Sequence, residues 1–449
     1  MPRSTFPNLV LALSAVLALT ALGLFVTRSG YFNRPHPVEQ PESAVAAPAP
    51  VPVPTPAAPK PAAIPEIPPP LPPAPAATTP SRRKPTVAEA NPEVLVGKIT
   101  SALEAGDFNA VARLADASAC DEKTLAQLKA LASQHPLKFI PAGPREIGEL
   151  ELNALTRWAL AIDGAEPGRH QIFLDLRHQD GKWSVEKLTL PPRPGEPIPA
   201  AVFADPLGIA DSFLQAVLKQ DFESACHFID PMTVSAAKIA ALCILFEEGK
   251  FELRHAKPLR AMLLRADTAG YLANVQTADG TQTAQFSLTL RHPPAPSNWI
   301  IAEINLDQLL ADYASRVAGG DIYYCPLVKS PRGGDTLALY FEFDEDQANP
   351  RTRRQLEIVS QILLADPARK ITLSGHTDAL GTAAYNNGLS ARRATTVRDF
   401  LAAAGVPATQ IVTVAKGASQ PRRPNVTETG ADDPAGRRAN RRTEIYLDF

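Results

Sequence analysis

A carboxylate and a guanidinium stand fifteen residues apart near the end of this 449-residue chain. Asp378 closes the run Leu373-Ser-Gly-His-Thr-Asp378, and Arg393 follows Gly381, Tyr385-Asn386 and Leu389-Ser390. Their chemistry is that of recognition. A fixed carboxylate accepts hydrogen bonds from an ammonium, and a fixed guanidinium forks onto a carboxylate with two parallel bonds. The same residue types also serve as a turn or capping acid and as a helix-surface arginine, and spacing alone leaves both roles open.

Covalent and metal chemistry find less support in the residues. The eight histidines show no HxxxH or HExxH spacing. The four cysteines (Cys120, Cys226, Cys243 and Cys325) are too few and too scattered for a disulfide framework or a zinc site. Cys226 and Cys243 are expected on neighbouring helices and could pair in an oxidising compartment. No nucleophile elbow or phosphate loop appears, so the expectation is a protein that is not an enzyme and needs no cofactor or metal. A net charge of −2 with 20% charged residues gives no basic field for nucleic acid.

The elements that must hold Asp378 and Arg393 can be read from periodicity. Leu337–Phe343 alternates as a strand, and Thr352–Leu364 is helical with Leu356, Val359, Ile362 and Leu363 on one face. Ile371–Leu373 reads as the next strand. Ser390–Ala404 reads as a helix with Ala394, Val397 and Leu401 inward, stopped by Gly405. Ile411–Val414 and Thr443–Leu447 are the last strands. This βαβαββ order over 335–449 puts Asp378 at a strand end, and the following helix start adds backbone donors that favour an anion.

Upstream lie two stretches that look like copies of one module, 88–198 and 203–314. Asp107-Phe108 recurs as Asp221-Phe222, and Leu176-Arg-His178 as Leu290-Arg-His292, both at an offset of 114 residues. Each begins with helix-period apolar residues and ends with alternating strands closed by a tryptophan strand at Trp183 or Trp299. This pattern resembles the NTF2-like or cystatin-like α+β class, whose members enclose ligands or serve as spacers and dimerisation units. A scaffold role is expected here, with His178 and His292 as solvated strand ends.

Before these modules the composition changes. Between Pro35 and Pro85 there are 19 prolines in 51 residues, a stretch suited to extended polyproline II with a reach of about 150 Å. Ahead of it, 24 uncharged residues separate Arg3 from Arg28. Residues 8–27 are therefore expected to cross a bilayer, whose core takes about 20 helical residues. The alternative is a cleaved signal peptide followed by release to the periplasm or outer membrane. The segment has no ionisable residue, which suits an anchor better than a proton-conducting element. The expected organisation is an α+β multidomain chain: anchor 1–30, linker 31–87, modules 88–198 and 203–314, and a terminal domain 335–449.

That terminal domain resembles the OmpA-like C-terminal family. The resemblance is carried by Phe341-Glu-Phe-Asp344, Gly375-His-Thr-Asp-Ala-Leu-Gly381, Tyr385-Asn386, Leu389-Ser390, Arg393-Ala394, Val397 and Asn440-Arg-Arg-Thr-Glu444. The family binds the stem peptide of peptidoglycan non-covalently through diaminopimelate, which carries an ammonium and a carboxylate beyond the peptide backbone. The resemblance implies Asp378 for the ammonium and Arg393 for the carboxylate, with Thr377 and Asn386 in support; Arg441 and Arg442 are left ambiguous. It implies a single-pass inner-membrane protein with its bulk in the periplasm, holding peptidoglycan, with a second copy or an envelope-complex partner as the expected protein contact. A stator-like or transport-complex subunit, or a ligand sensor built on the modules, is the alternative expectation.

Overall fold

The computed structural model describes residues 88–449 apart from 116–118, 135, 200, 295–297, 318–324 and 330–333. The expected anchor over 8–27 and the proline linker lie outside the described residues. Among those that are described, no helix is long and apolar enough to cross a membrane.

Residues 92–189 form α1 (Pro92–Glu104), α2 (Phe108–Leu114), α3 (Glu122–Gln134), β1 (Arg145–Glu151), β2 (Leu155–Ala161), β3 (Gln171–Gln179) and β4 (Lys182–Thr189). Residues 206–317 form α4 (Pro206–Leu218), α5 (Phe222–Cys226), α6 (Ala236–Gly249), β5 (Phe251–Leu253), β6 (Leu259–Leu264), β7 (Thr268–Thr277), β8 (Thr283–Arg291), β9 (Ile300–Asn305) and α7 (Asp307–Val317). Helices α1, α2 and α3 start 114 residues before α4, α5 and α6, and β1 starts 114 before β6. The helix starts follow from local chemistry. Asn91 and Asp205 each cap a helix that has Pro at its first position, while Asp107 and Asp221 cap α2 and α5.

The two stretches share one sheet, in the order β4-β3-β2-β1-β6-β7-β8-β9, with β5 beside β7. The junction is a parallel contact of Gly148 with Leu259. Gly148 has φ 152°, and a Cβ there would stand 2.3 Å from the Leu259 carbonyl oxygen, so only glycine permits the approach. Polar clamps close the same seam. Arg157, nearly fully buried, donates through Nε and Nη2 to Asp175 at 2.7 and 3.1 Å and through Nη1 to Asp205 at 2.9 Å, with its guanidinium 3.4 Å from the centre of the Phe203 ring. Arg145 pairs with Asp211 of α4 at 2.9 Å.

The terminal domain contains β10 (Leu327–Lys329), β11 (Asp335–Tyr340), α8 (Pro350–Ala365), β12 (Ile371–Gly375), α9 (Ala383–Ala403), β13 (Ile411–Ala415), α10 (Pro434–Asn440) and β14 (Arg442–Leu447). Its sheet runs β10-β11-β14-β12-β13, with β12 parallel to β13 and antiparallel to β14. The expected βαβαββ order is present and gains an edge strand, β10, and a short helix, α10. The helix expected from Ser390 starts seven residues earlier, at Ala383, behind the N-cap Thr382, whose hydroxyl accepts from Tyr385 N after Gly381 turns the chain with φ 98°. Tyr385 and Asn386 are therefore on the helix.

One helix joins this domain to what precedes it. α6 reads Ala-Ala-Lys-Ile-Ala-Ala-Leu-Cys-Ile-Leu-Phe-Glu-Glu-Gly, and its residues from Ala237 to Phe246 are buried except Lys238. A helix apolar all round must be covered on every side, and α6 packs against α4 and α5 as well as against α8, β10, β11 and β14. At its end the buried Glu248 carboxylate accepts from the Tyr313 hydroxyl, from Arg351 Nε at 3.2 Å and from Gln355 Nε2 at 2.9 Å. Arg369 binds the Glu223 carboxylate, with its guanidinium 5.3 and 5.0 Å from the rings of Phe222 and Phe449.

Cys226 and Cys243 are free thiols, so the pairing entertained for them is not made here. Burial pushes both up to about 12, which keeps them protonated and unreactive at neutral pH. His178 and His292 are not simply solvated: each ring lies against the tryptophan of the next strand, 4.7 Å from Trp183 and 5.2 Å from Trp299.

The seam at Gly148 yields a paired prediction for denaturant unfolding. Gly148→Ala is expected to lose on the order of 1–3 kcal/mol, because the added carbon meets backbone. Gly97→Ala, in α1 with nothing within 4 Å of its added carbon, should gain about 0.5–1 kcal/mol from helix propensity. Equal effects from the two would contradict a sheet joined at this residue.

Candidate ligand-binding site

The site forms where β12 ends. A Cβ on Gly375 would stand 2.0 Å from the Ser390 carbonyl oxygen, so glycine lets α9 lie close against the strand end. Beyond it the chain is pinned by backbone bonds: His376 N donates to Arg442 O at 2.8 Å and Thr377 N to Gly417 O at 2.9 Å. Asp378 then turns the chain, its Oδ1 accepting from Leu380 N at 3.1 Å, while Asn386 Nδ2 reaches back to Asp378 O at 3.4 Å.

Thr377, Asp378, Asn386 and Arg393 come together as expected in space, all lining one pocket of about 160 Å³. They differ in how committed they are. Asp378 Oδ2 accepts from Arg441 Nη1 at 3.2 Å, so its direct partner is Arg441 and not Arg393. Arg393 is fully buried rather than a surface arginine. It donates through Nε to Glu345 O at 2.8 Å, through Nη1 to His376 O at 3.0 Å and through Nη2 to Glu342 O at 3.1 Å. Burial and then the neighbouring Arg441 lower it to about 10, with Asp378 acting in the opposite sense, so it remains a cation at neutral pH. Thr377 Oγ1 is buried and has no hydrogen-bond partner among the described residues. A buried hydroxyl left open on a pocket wall is costly unless something else satisfies it.

Three residues of this pocket escaped the sequence reading or were left open by it. Arg441 supplies a second cation. Its direction was legible in principle: Arg442 and Glu444 share one face of β14 and pair at 2.7 Å, which sends Arg441 to the other side. Asp344 has φ 57° in the turn after β11 and accepts from the Tyr385 hydroxyl. Phe343, 57% exposed, joins Leu380 and Tyr385 as an apolar rim. The pocket thus presents two cations, two carboxylates and an open hydroxyl inside an apolar edge.

With the geometry described, known proteins can be compared. The OmpA family model matches residues 340–433. Outer membrane porin F of Pseudomonas fluorescens is 36% identical over 112 residues, 25% of this chain and 32% of that protein. Outer membrane protein A of Bordetella avium is 38% identical over 108 residues, 24% of this chain and 53% of its own length. The peptidoglycan-associated lipoprotein of Agrobacterium fabrum is 39% identical over 83 residues, 18% and 47% of the two chains. The chain thus spans about a third to about half the length of these relatives. Residues 340–433 form an OmpA-family domain.

Beneath the site, His376 is buried 3.7 Å from Glu444, and neither ring nitrogen has a hydrogen bond among the described residues. Burial first, and Arg442 second, push its imidazole down to about 3. Burial alone would raise the Glu444 carboxyl, but Arg442 and the Tyr446 hydroxyl outweigh it and hold the group low. A depressed histidine stabilises the fold fully above the free value of 6.5 and loses that contribution as pH falls toward 3. Stability measured by denaturant at a series of pH values should therefore drop by up to about 1.4 kcal/mol per pH unit through this window. His376→Asn is expected to flatten that slope. An unchanged slope would place the acid sensitivity elsewhere.

Proposed function

We propose that this chain is a cell-envelope binding protein that holds peptidoglycan non-covalently through the pocket around Asp378 and Arg393, gripping the diaminopimelate of the stem peptide. The observation that carries the reading is the coexistence, in one small pocket, of paired opposite charges and the unpartnered Thr377 hydroxyl. A relative named as peptidoglycan-associated supports the choice of polymer.

The mechanism follows from the bonds already in place. Arg393 spends three donors on backbone carbonyls, so the direction of its remaining N–H groups is fixed before any ligand arrives. Arg441 bridges to Asp378 in the unliganded site. A ligand carboxylate arriving between Arg393 and Arg441 takes over Arg441's donor, which frees Asp378 Oδ2 to accept from the ligand ammonium. Asp344 faces the same pocket as a second acceptor, and Thr377 Oγ1 gains its missing partner. A neutral or singly charged ligand completes only half of this exchange, which is the source of selectivity.

In the same reading the N-terminal segment over 8–27 anchors the chain in the inner membrane, and the proline stretch spans to the wall, so that the protein tethers membrane to wall without catalysing a reaction. Peptidoglycan and the bilayer are its partners.

Co-sedimentation with purified sacculi tests the assignment. Asp378→Asn keeps the Leu380 cap and removes the charge, and is expected to weaken retention by about 2–5 kcal/mol, with meso-diaminopimelate competing against the unsubstituted chain. Retention undiminished in Asp378→Asn and insensitive to meso-diaminopimelate would sink the proposal.

A further inference from the structure

A second site lies far from this pocket in sequence, at the seam of the nine-stranded sheet. A cavity of about 280 Å³ opens between β2, β3 and helices α4 and α5, with Phe173, Phe203 and Phe228 among its walls. A second, of about 440 Å³, is floored by aliphatic residues including Pro144, Ala161 and Ile162. They meet at His170, Gln171 and Lys219, which line both. Joined, they fall within the ~300–1,000 Å³ of ordinary small-molecule pockets.

The polar groups of this cleft divide sharply. Every carboxylate lining it is already used. Asp211 is forked by Arg145 at 2.9 and 3.2 Å, and Asp221 caps α5 through Ser224 N at 3.0 Å and also binds the Ser224 hydroxyl. Arg157 is saturated by Asp175 and Asp205. Of the charged side chains lining it, Lys219 is the one that both cavities share. Lys219 makes no ion pair among the described residues, and it lies near enough to His170 to add to the effect of burial in lowering that imidazole. His227 lines the first cavity and His255 the second. A cleft with phenylalanine and aliphatic walls and, at its junction, a lysine without an ion pair among the described residues complements an anion with a hydrophobic body.

We infer that the cleft between the two modules is a binding site for a small aliphatic carboxylate, with Lys219 at its junction taking the carboxylate and the phenylalanine and aliphatic walls taking the chain. The site needs both modules, since its lining comes from β1–β3 on one side and α4–α5 on the other. It is independent of the pocket at Asp378 and does not rest on peptidoglycan binding.

Isothermal titration of the full chain with octanoate, and with octanamide as its uncharged counterpart, tests this. Saturable one-to-one octanoate binding is expected, about tenfold weaker in Lys219→Glu, with octanamide bound weakly and equally by both. Lys123→Glu, the same charge change on α3 outside the cleft, should leave octanoate affinity unaltered, and near-UV circular dichroism confirms that each variant is folded. No saturable octanoate binding, equal affinity in Lys219→Glu, or equal loss in Lys123→Glu would each overturn the assignment.

Discussion

The terminal domain depends on a buried cation. Arg393 is fully buried and, among the described residues, has no directly paired carboxylate, a situation that costs several kcal/mol unless backbone acceptors offset it. The chain meets that cost with three carbonyl oxygens, from Glu342, Glu345 and His376, and with the field of Asp378 beyond them. Those carbonyls belong to the turn after β11 and to the end of β12. One guanidinium therefore ties α9 to both walls of the pocket it also charges. In the proposed reading fold and recognition share this residue, and the same bonds that hold the cation fix its direction.

The terminal domain is joined to the module before it by a hydrophobic contact. α6 is covered by the nine-stranded sheet's helices on one side and by α8 and the terminal sheet on the other. Each of its buried Ile, Leu and Phe side chains contributes roughly 1.5–3 kcal/mol, and the part buried by the terminal domain would be lost if the domains parted. The buried Glu248 cluster adds direction, because its three donors come from α7 and α8. The terminal domain thus packs into one compact unit with the module before it.

Much of this was legible in the sequence where the period was strong. The core faces of α8 and α9 and the strand before Asp378 could be read from apolar spacing, and the 114-residue offset from the recurring Asp-Phe and Leu-Arg-His pairs. The start of α9 was missed because Gly381 and Thr382 look like turn residues until the cap is seen to begin a helix at Ala383. Arg393 could not be told from a surface arginine, since helical spacing gives its face but not the carbonyls waiting there. The shared sheet was invisible for a different reason: a single glycine, Gly148, makes the approach possible, and glycine carries no pattern. α6 was apolar enough to be recognised as buried, yet nothing local says that two domains bury it.

In the proposed reading the pocket around Asp378 and Arg393 decides what the chain holds. The central claim is that a ligand carrying both an ammonium and a carboxylate exchanges the Asp378–Arg441 bridge for bonds of its own. Titration of the labelled chain with meso-diaminopimelate, followed by amide and guanidinium NMR shifts, tests it most directly. The account predicts saturable shifts at Thr377, Asp378, Asn386, Arg393 and Arg441, with the Arg441 guanidinium signal moving most. Shifts confined to other parts of the chain, or none at saturating ligand, would contradict it.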